Sequence, residues 1–172
     1  MENFLELAKD RFSVRKFLDQ PVREQDLDLI LEAGKLAPTA CNNQPQKVFV
    51  LTSDEDLATI DRLTKCRFGA PTVLLICYDE EREWVNPMEP EVRGGTVDAA
   101  IVTTHMMLEA WEIGVASCWV AWFPPTKTAE AFDLPNNLHP VALLPLGYPA
   151  PDAEPAASHE KYRDHDDWIV KR

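Results

Sequence analysis

Residues 71–79 read PTVLLICYD, a continuous apolar run that begins at a proline and ends at an acidic residue. A second run, HPVALLPLGYP at 139–149, has the same character. Strands that are apolar throughout are typical of a sheet that is covered on both faces. The sequence therefore predicts a central sheet with helices on each side.

The segments around these two runs predict the remaining strands and the helices. Strands are expected at 47–52 and 116–123, and helices at 3–10, 21–38, 56–65, 96–113 and 125–135. The helix at 96–113 carries two apolar stripes, so little of it can face water. In a chain of this size, we expect a second subunit to cover part of that helix.

Length and charge limit the classes of function. The chain has 172 residues, of which 45% are hydrophobic and 27% charged, which predicts a single domain over 1–172. Seventeen Lys and Arg stand against 29 Asp and Glu, so neither nucleic acid nor an anionic membrane is an expected partner.

Cysteine spacing and the N-terminus bear on location and metal binding. The four cysteines show no short Cys or His spacing, so we expect neither a metal site nor a disulfide framework. The first residues, MENFLELAKD, do not resemble a secretion signal, and no apolar run is long enough for a bilayer. The expected location is the cytoplasm.

Two basic clusters stand out in this acidic chain. The stretch RFSVRKF at 11–17 combines two guanidinium groups, an ammonium group and a hydroxyl, which together suit a phosphate monoester. A solvated helix end would explain the same residues. Lys161 and Arg163 form a smaller pair in the C-terminal tail, and they would join the first cluster only if the tail folds back.

The polar stretch TACNNQPQ at 39–46 is a predicted loop. Its hydroxyl, carboxamides and backbone donors suit the edge of a heteroaromatic ring, although turn-forming residues alone would also account for it. The chain contains no GxSxG or HExxH motif, so a side-chain nucleophile is not indicated.

Three separated segments together resemble the small single-domain branch of the flavin-dependent nitroreductase family. They are RxSxRxF at 11–17, APTACNNQP at 37–45, and VALLPLGYP at 141–149 followed by a basic pair. The resemblance covers nearly the whole chain. It implies an α+β fold with a central mixed sheet flanked by helices. It also implies an intertwined homodimer that binds FMN at the subunit interface.

The same resemblance implies roles for individual residues. Arg11, Phe12, Ser13 and Arg15 would contact FMN. Arg11 and Ser13 would hold its phosphate and ribityl end, and Arg15 would lie near the N1/O2 edge of the ring. Lys161 and Arg163 would complete the phosphate site. Residues implied to reach the flavin largely from the partner subunit are Pro38, Thr39, Ala40, Asn42 and Gln44. Residues implied beside the isoalloxazine are Trp119, Val120 and Ala121.

The implied activity is an FMN-dependent NAD(P)H oxidoreductase. NADH or NADPH would pass hydride to flavin N5, and a small electron-poor acceptor such as a nitroaromatic, quinone or enone would then take it. This chemistry requires no protein acid or base. The alternatives are a flavin-binding protein without turnover, a specialised flavin enzyme such as a reductive dehalogenase, or an interaction protein without cofactor.

Four features depart from the family pattern or leave it open. The segment 65–71 lacks an Asn or Gln for a further FMN contact, and Trp122 stands where many relatives have a small residue. The acidic segment 80–95 is expected to form a lid-like structure over the pocket, with Trp84 exposed, and to govern the choice of acceptor. The tail at 150–172 has no helix that could form a core but carries apolar residues near its end, so it is expected to dock on another surface.

Overall fold

The computed structural model describes residues 3–172. Its helices are α1 (Phe4–Asp10), α2 (Glu24–Leu36), α3 (Asp54–Leu63), α4 (Gly95–Glu112) and α5 (Pro125–Ala131). Its strands are β1 (Gln46–Leu51), β2 (Thr72–Asp79), β3 (Ala116–Ser117) and β4 (Leu138–Gly147). Short 3₁₀ turns occupy Ala40–Asn42 and His165–Asp167.

The four strands form one sheet in the order β1-β2-β4-β3. Every neighbouring pair in it is antiparallel. The prediction of a mixed sheet is therefore wrong for the chain as described over residues 3–172. The apolar runs of β2 and β4 arise because both strands are central and covered on both faces, and this burial does not require parallel neighbours.

Helices cover both faces of the sheet, as the two apolar runs predicted. Alternate residues of β2 point to opposite faces, so each face has its own core. The core beneath α2 and α4 includes Ile30, Leu74, Ile76, Met106 and Leu144. The core beneath α3 and α5 includes Ile60, Val73, Leu75, Leu143 and, at its edge, Phe132.

The ladder between β3 and β4 is shorter than the strand predicted at 116–123. Regular pairing ends at Ser117, and only Val120 rejoins β4 through an isolated bridge to Leu143. Between these points the Cys118 N–H donates to Pro145 O at 3.3 Å. Proline has no N–H to return that bond, so the ladder is interrupted there.

Helix α4 is the longest helix and is only partly covered within the chain. Val102, Met106 and Ala110 are buried against the core beneath α2, whereas Val97 is 59% exposed and Ile101 is half-buried. One apolar strip of α4 is thus open to solvent in the isolated chain. None of the helices within residues 3–172 is long and apolar enough to cross a membrane.

The segment 80–95 is fastened at its base by a buried carboxylate. The Glu83 side chain is 2% exposed and accepts from Arg93 Nη1 at 2.6 Å and from the Gly95 N–H at 3.0 Å. Val85 bridges Arg93, so the segment forms a small hairpin. Trp84 is half-buried rather than exposed, because it packs beside the backbone that enters α4.

Gly95 is needed at the start of α4 because the backbone passes directly against Tyr78 and Glu83. A Cβ at this position would overlap the Tyr78 ring and lie 2.7 Å from Glu83 Oε2. We expect Gly95→Ala to lower the free energy of unfolding by about 1–3 kcal/mol, the usual cost of overpacking. Urea denaturation followed by circular dichroism measures this effect. The exposed neighbour Thr96→Ala is the control, and equal stability of the two variants would contradict the packing argument.

Candidate flavin site

The basic stretch 11–17 runs in extended form along the edge of the sheet where β3 ends. The Val14 N–H donates to Ser117 O at 3.0 Å, and the Leu18 N–H donates to Tyr148 O at 2.9 Å. Val14 is fully buried, so it anchors the segment. Its neighbours Ser13 and Arg15 are consequently held in place on either side of a fixed point.

Arg11 and Arg15 carry charges that no carboxylate neutralises within residues 3–172. Arg15 Nη1 donates to Ser13 O at 3.2 Å, and its guanidinium lies 5.9 Å from the centre of the Phe68 ring. Burial raises the pKa of the Cys118 thiol, and the nearby charges of Arg15 and Arg11 partly oppose that rise. Both cations therefore lie close to the end of β3.

The tail folds back onto the same N-terminal segment. The Ala150 N–H donates to Lys16 O at 3.1 Å, and the Lys16 ammonium pairs with Asp152 at 2.7 Å. Further along, His159 Nε2 lies 3.2 Å from Lys9 O, and its ring centre is 6.1 Å from that of Phe12. The ammonium group that the sequence placed in the basic cluster is thus paired with a carboxylate of the tail.

Lys161 and Arg163 follow the His159 contact by two and four residues. Their side chains are exposed and make no ion pair with a carboxylate within the described part of the chain. Two residues of extended chain span at most about 7 Å. The His159 contacts therefore place the backbone of Lys161 within that distance of the N-terminal segment, and Arg163 within about twice that distance.

The segment Trp119–Ala121 continues directly from the residues that hold Val14. Val120 is buried and exchanges two backbone hydrogen bonds with Leu143, at 2.9 and 3.0 Å. Trp119 is half-buried against the core and Ala121 is exposed. This segment therefore lies near Ser13 and Arg15 in the same chain.

The loop at 38–46 lies elsewhere, at the opposite end of α4. The Ala40 N–H donates to Asp98 Oδ1 at 3.0 Å, near the start of the helix. Phe12 instead contacts Trp111 near its end, with ring centres 5.1 Å apart. Thirteen residues of helix, or roughly 20 Å, separate Asp98 from Trp111. One chain alone therefore does not bring the loop to the basic cluster.

The loop itself has a specific backbone shape. Cys41, Asn42 and Gln44 have φ of 51°, 55° and 50°, in the left-handed region that side chains disfavour. Thr39 Oγ1 accepts the Gln44 N–H at 3.1 Å and closes the turn. Pro38 and the Asn42 and Gln44 side chains are exposed. The loop thus presents its carboxamides outward from a fixed frame.

Sequence reasoning missed Asp98, which supports this loop. Asp98 is 2% exposed, and Oδ1 receives the Ala40 N–H. Its other oxygen, Oδ2, is buried without a hydrogen-bond partner among residues 3–172. A buried carboxylate oxygen without a hydrogen-bond partner lowers the stability of the fold. We therefore infer that Asp98 is present because it holds the loop at Ala40. The only signal in the sequence was an acidic residue in the first turn of an otherwise apolar helix.

We expect Asp98→Ala to loosen the loop, because the Ala40 N–H loses its acceptor. The free energy of the local bond is about 1 kcal/mol, so hydrogen exchange at 39–44 should speed up by roughly fivefold. Hydrogen–deuterium exchange with mass spectrometry measures this change. Asp98→Asn keeps an acceptor oxygen and should exchange almost as slowly as the parent. Unchanged exchange in the alanine variant would contradict the role of Asp98.

Arg67 has a structural role in the segment 65–71. Arg67 binds both carboxylate oxygens of Asp61, at 2.6 and 2.8 Å, and donates to Ala70 O at 2.8 Å. These bonds raise the pKa of Arg67 above its ordinary value, chiefly through the hydrogen bond to Asp61. The segment's remaining link to the basic cluster is the contact between Phe68 and Arg15.

Comparison with known proteins identifies relatives over most of the chain. The sequence matches the Nitroreductase family over residues 8–68 and 65–148. A crystal structure of a nitroreductase family protein from Clostridium difficile is 36% identical, covers 98% of this chain and 97% of its own, and superposes with a TM-score of 0.91. An FMN reductase [NAD(P)H] from Bacillus subtilis is 29% identical over 87% of this chain and 67% of its own.

A more distant structure shares the fold alone. This protein from Exiguobacterium sibiricum was crystallised in complex with FMN and is 20% identical. It covers 100% of this chain and 98% of its own, with a TM-score of 0.83. The α+β arrangement of helices flanking a sheet is therefore one that known proteins of this class adopt.

Proposed function

The chain belongs to the nitroreductase family, and from this premise we propose that it is an FMN-dependent NAD(P)H oxidoreductase acting as a homodimer. It is an enzyme of the NAD(P)H nitroreductase and FMN reductase type. The proposed acceptor is a small electron-poor molecule such as a nitroaromatic, quinone or enone. The whole chain serves as one domain, and its tail docks on the N-terminal segment. The 80–95 hairpin, which lies at the start of α4 beside the loop at 38–46, would cover the pocket of the other copy.

One observation carries the proposal for the cofactor. Four cations, Arg11, Arg15, Lys161 and Arg163, have no carboxylate partner among residues 3–172, although the chain has a net charge of −12. The contact of His159 with Lys9 O brings the tail that carries Lys161 and Arg163 back to the N-terminal segment that carries Arg11 and Arg15, which supports a shared site. Clustered cations repel one another, and a phosphate monoester would relieve that repulsion.

The residues fit FMN in a consistent order along the segment. Arg11 and Ser13, with Lys161 and Arg163, would hold the phosphate and ribityl end, while Arg15 would place a fixed positive charge at the ring edge. The Phe12 ring packs between Trp111 and His159, and this contact fixes the backbone position of its chain neighbours Arg11 and Ser13. When bound, FMN would supply a two-electron centre that takes hydride from reduced nicotinamide and delivers it to the acceptor.

A homodimer would supply the part of the site that one chain lacks. The loop at 38–46 lies at the far end of α4 from the basic cluster, so a second copy must bring its own Pro38, Thr39, Ala40, Asn42 and Gln44. The exposed apolar strip of α4, with Val97 at its start, is suited to that contact. A symmetric pair would then contain two equivalent sites.

Arg15 is expected to tune the flavin rather than to retain it. A cation at the ring edge stabilises the negative charge of the reduced form, so Arg15→Ala should lower the midpoint potential by about 30 mV. Spectroelectrochemistry of the FMN-loaded protein measures this shift. Arg15→Lys keeps the charge and should remain close to the parent value. An unaltered midpoint in the alanine variant would contradict the proposed position.

The direct test is the visible spectrum of the purified protein, followed by anaerobic titration with NADH and with NADPH. A yellow protein that bleaches with either donor and recovers on addition of a nitroaromatic supports the proposal. A yellow protein that bleaches with neither would indicate a flavin-binding protein without turnover. A colourless protein whose melting temperature does not rise with added FMN would overturn the cofactor assignment.

A further inference from the structure

A cleft of about 810 Å³ opens beside the end of α3. We call it the Trp122 cleft. It is lined by residues 61–66 and 122–124. One wall is therefore the last turn of α3 and the turn after it, and the other wall is the segment that leads into α5.

Hydrogen bonds at Thr64 hold the two walls together. Thr64 is buried, and its hydroxyl donates to Trp122 O at 2.6 Å while accepting the Cys66 N–H at 3.2 Å. Both walls are thereby fixed to one side chain. The cleft is a preformed feature of the fold, as small-molecule sites usually are.

The apolar wall presents an indole ring that the chain leaves uncovered. Trp122 is 84% exposed, whereas Phe123 beside it is buried. Its backbone is held by Thr64, so the ring projects from a fixed point. A large exposed indole on a rigid support is a suitable platform for stacking a flat aromatic ring.

The charged wall is positive despite the acidity of the chain. Asp61 is occupied by Arg67, at 2.6 and 2.8 Å. Arg62 and Lys65 have no carboxylate partner within the described residues, and Arg62 Nη2 donates only to Thr59 Oγ1 at 2.8 Å. Two cations and no free carboxylate therefore line the cleft.

The cleft adjoins the site described above. Trp122 directly follows Trp119–Ala121, the segment proposed to lie beside the isoalloxazine. On the other wall, Phe68 lies two residues beyond Cys66 and contacts the Arg15 guanidinium at 5.9 Å. A molecule seated in the cleft would thus approach the ring edge that Arg15 is proposed to mark.

We propose that the Trp122 cleft selects acceptors that combine a flat aromatic ring with a negative charge, such as aromatic carboxylates. Trp122 would stack on the ring, and Arg62 and Lys65 would attract the anionic group. This inference rests on the proposed function, because it assigns the acceptor class of the same site. It makes Arg62, Lys65 and Trp122 determinants of specificity.

The test compares 4-nitrobenzoate with its neutral methyl ester as acceptors for the FMN-loaded protein. The parent should show a KM for the carboxylate roughly tenfold below that for the ester, and Arg62→Gln/Lys65→Gln should abolish the difference. Lys127→Gln, a lysine of α5 outside the lining, is the matched control. Trp122→Ala should raise KM for both acceptors by several-fold, and Trp122→Phe should restore most of the loss.

Binding is measured separately by calorimetric titration of the oxidised protein with 4-nitrobenzoate, which needs no turnover. Loss of the binding signal in the double variant, with the flavin spectrum and NAD(P)H bleaching retained, supports the cleft assignment. Equal use of acid and ester by the parent would overturn it, as would a variant defect confined to KM for NAD(P)H. Failure to bind or bleach flavin would instead overturn the proposed function.

Discussion

Arg11→Ala/Arg163→Ala is expected to lose FMN during purification. Each side chain is proposed to donate to the phosphate, and a hydrogen bond to a charged group contributes about 1.5–3 kcal/mol. Removing both should weaken FMN binding by about a hundredfold or more. The measurement is an equilibrium titration of the apoprotein with FMN, in which binding is monitored through the quenching of flavin fluorescence.

The two single variants sharpen this experiment. Arg11 belongs to the extended segment anchored by Val14, and Arg163 belongs to the tail held at His159, so each tests a different element. Lys127→Ala on α5 removes a cation outside the proposed site and should retain full flavin occupancy. If both single variants and the double variant bind FMN as tightly as the parent, the phosphate assignment fails.

Val97→Glu is expected to separate the proposed dimer into monomers. Val97 is 59% exposed on the open strip of α4, and a symmetric interface would bring a charge there into an apolar contact on both copies. Light scattering after gel filtration should then give the monomer mass of 19.5 kDa instead of twice that value. Flavin binding should weaken together with dimerisation, because the loop of the other copy is lost.

Ala131→Glu provides the matched control for this variant. Ala131 is an exposed residue of α5, which packs on the face of the sheet opposite to α4. The control should keep both the dimer and the flavin. A parent protein that is itself monomeric yet fully loaded with FMN would show that one chain completes the site, contrary to the proposal.

Local features of the sequence were sufficient to predict several elements. The apolar runs of β2 and β4 required burial on both faces, and the helices found on each side confirm that expectation. A helix was expected at 56–65, and α3 is found at Asp54–Leu63, where the Ser53 side chain caps it by accepting the Asp56 N–H at 3.1 Å. These patterns involve residues within a few positions of each other, so they can be recognised before the fold is known.

Features that depend on distant residues were not accessible in the same way. Strand direction in the sheet follows from which strands pair, and apolar content does not encode it. The break after Ser117 depends on Pro145, and the support of the loop at Ala40 comes from Asp98, 58 residues away. Both relationships join positions that no local pattern connects.

The basic stretch at 11–17 illustrates the difference for the site. Its residue types suggested a phosphate, and the structure shows Arg11 and Arg15 without carboxylate partners among residues 3–172. The sequence did not show that this stretch and the loop at 38–46 are far apart, because that distance depends on their contacts with opposite ends of α4. The site residues therefore remain a prediction, supported by charge and placement.

The order of the sheet also bears on how the chain folds as it is synthesised. β4 lies between β2 and β3 in the sheet but is the last strand to be synthesised. It pairs with β2 over a long separation in sequence, since Asp79 at the end of β2 pairs with Leu138 at the start of β4. Until residues 138–147 leave the ribosome, β2 has one unpaired edge and an incomplete core on both faces. Such long-range pairing slows folding and exposes an aggregation-prone strand. The emergence of β4 is thus the step that allows the cores on both faces of the sheet to close.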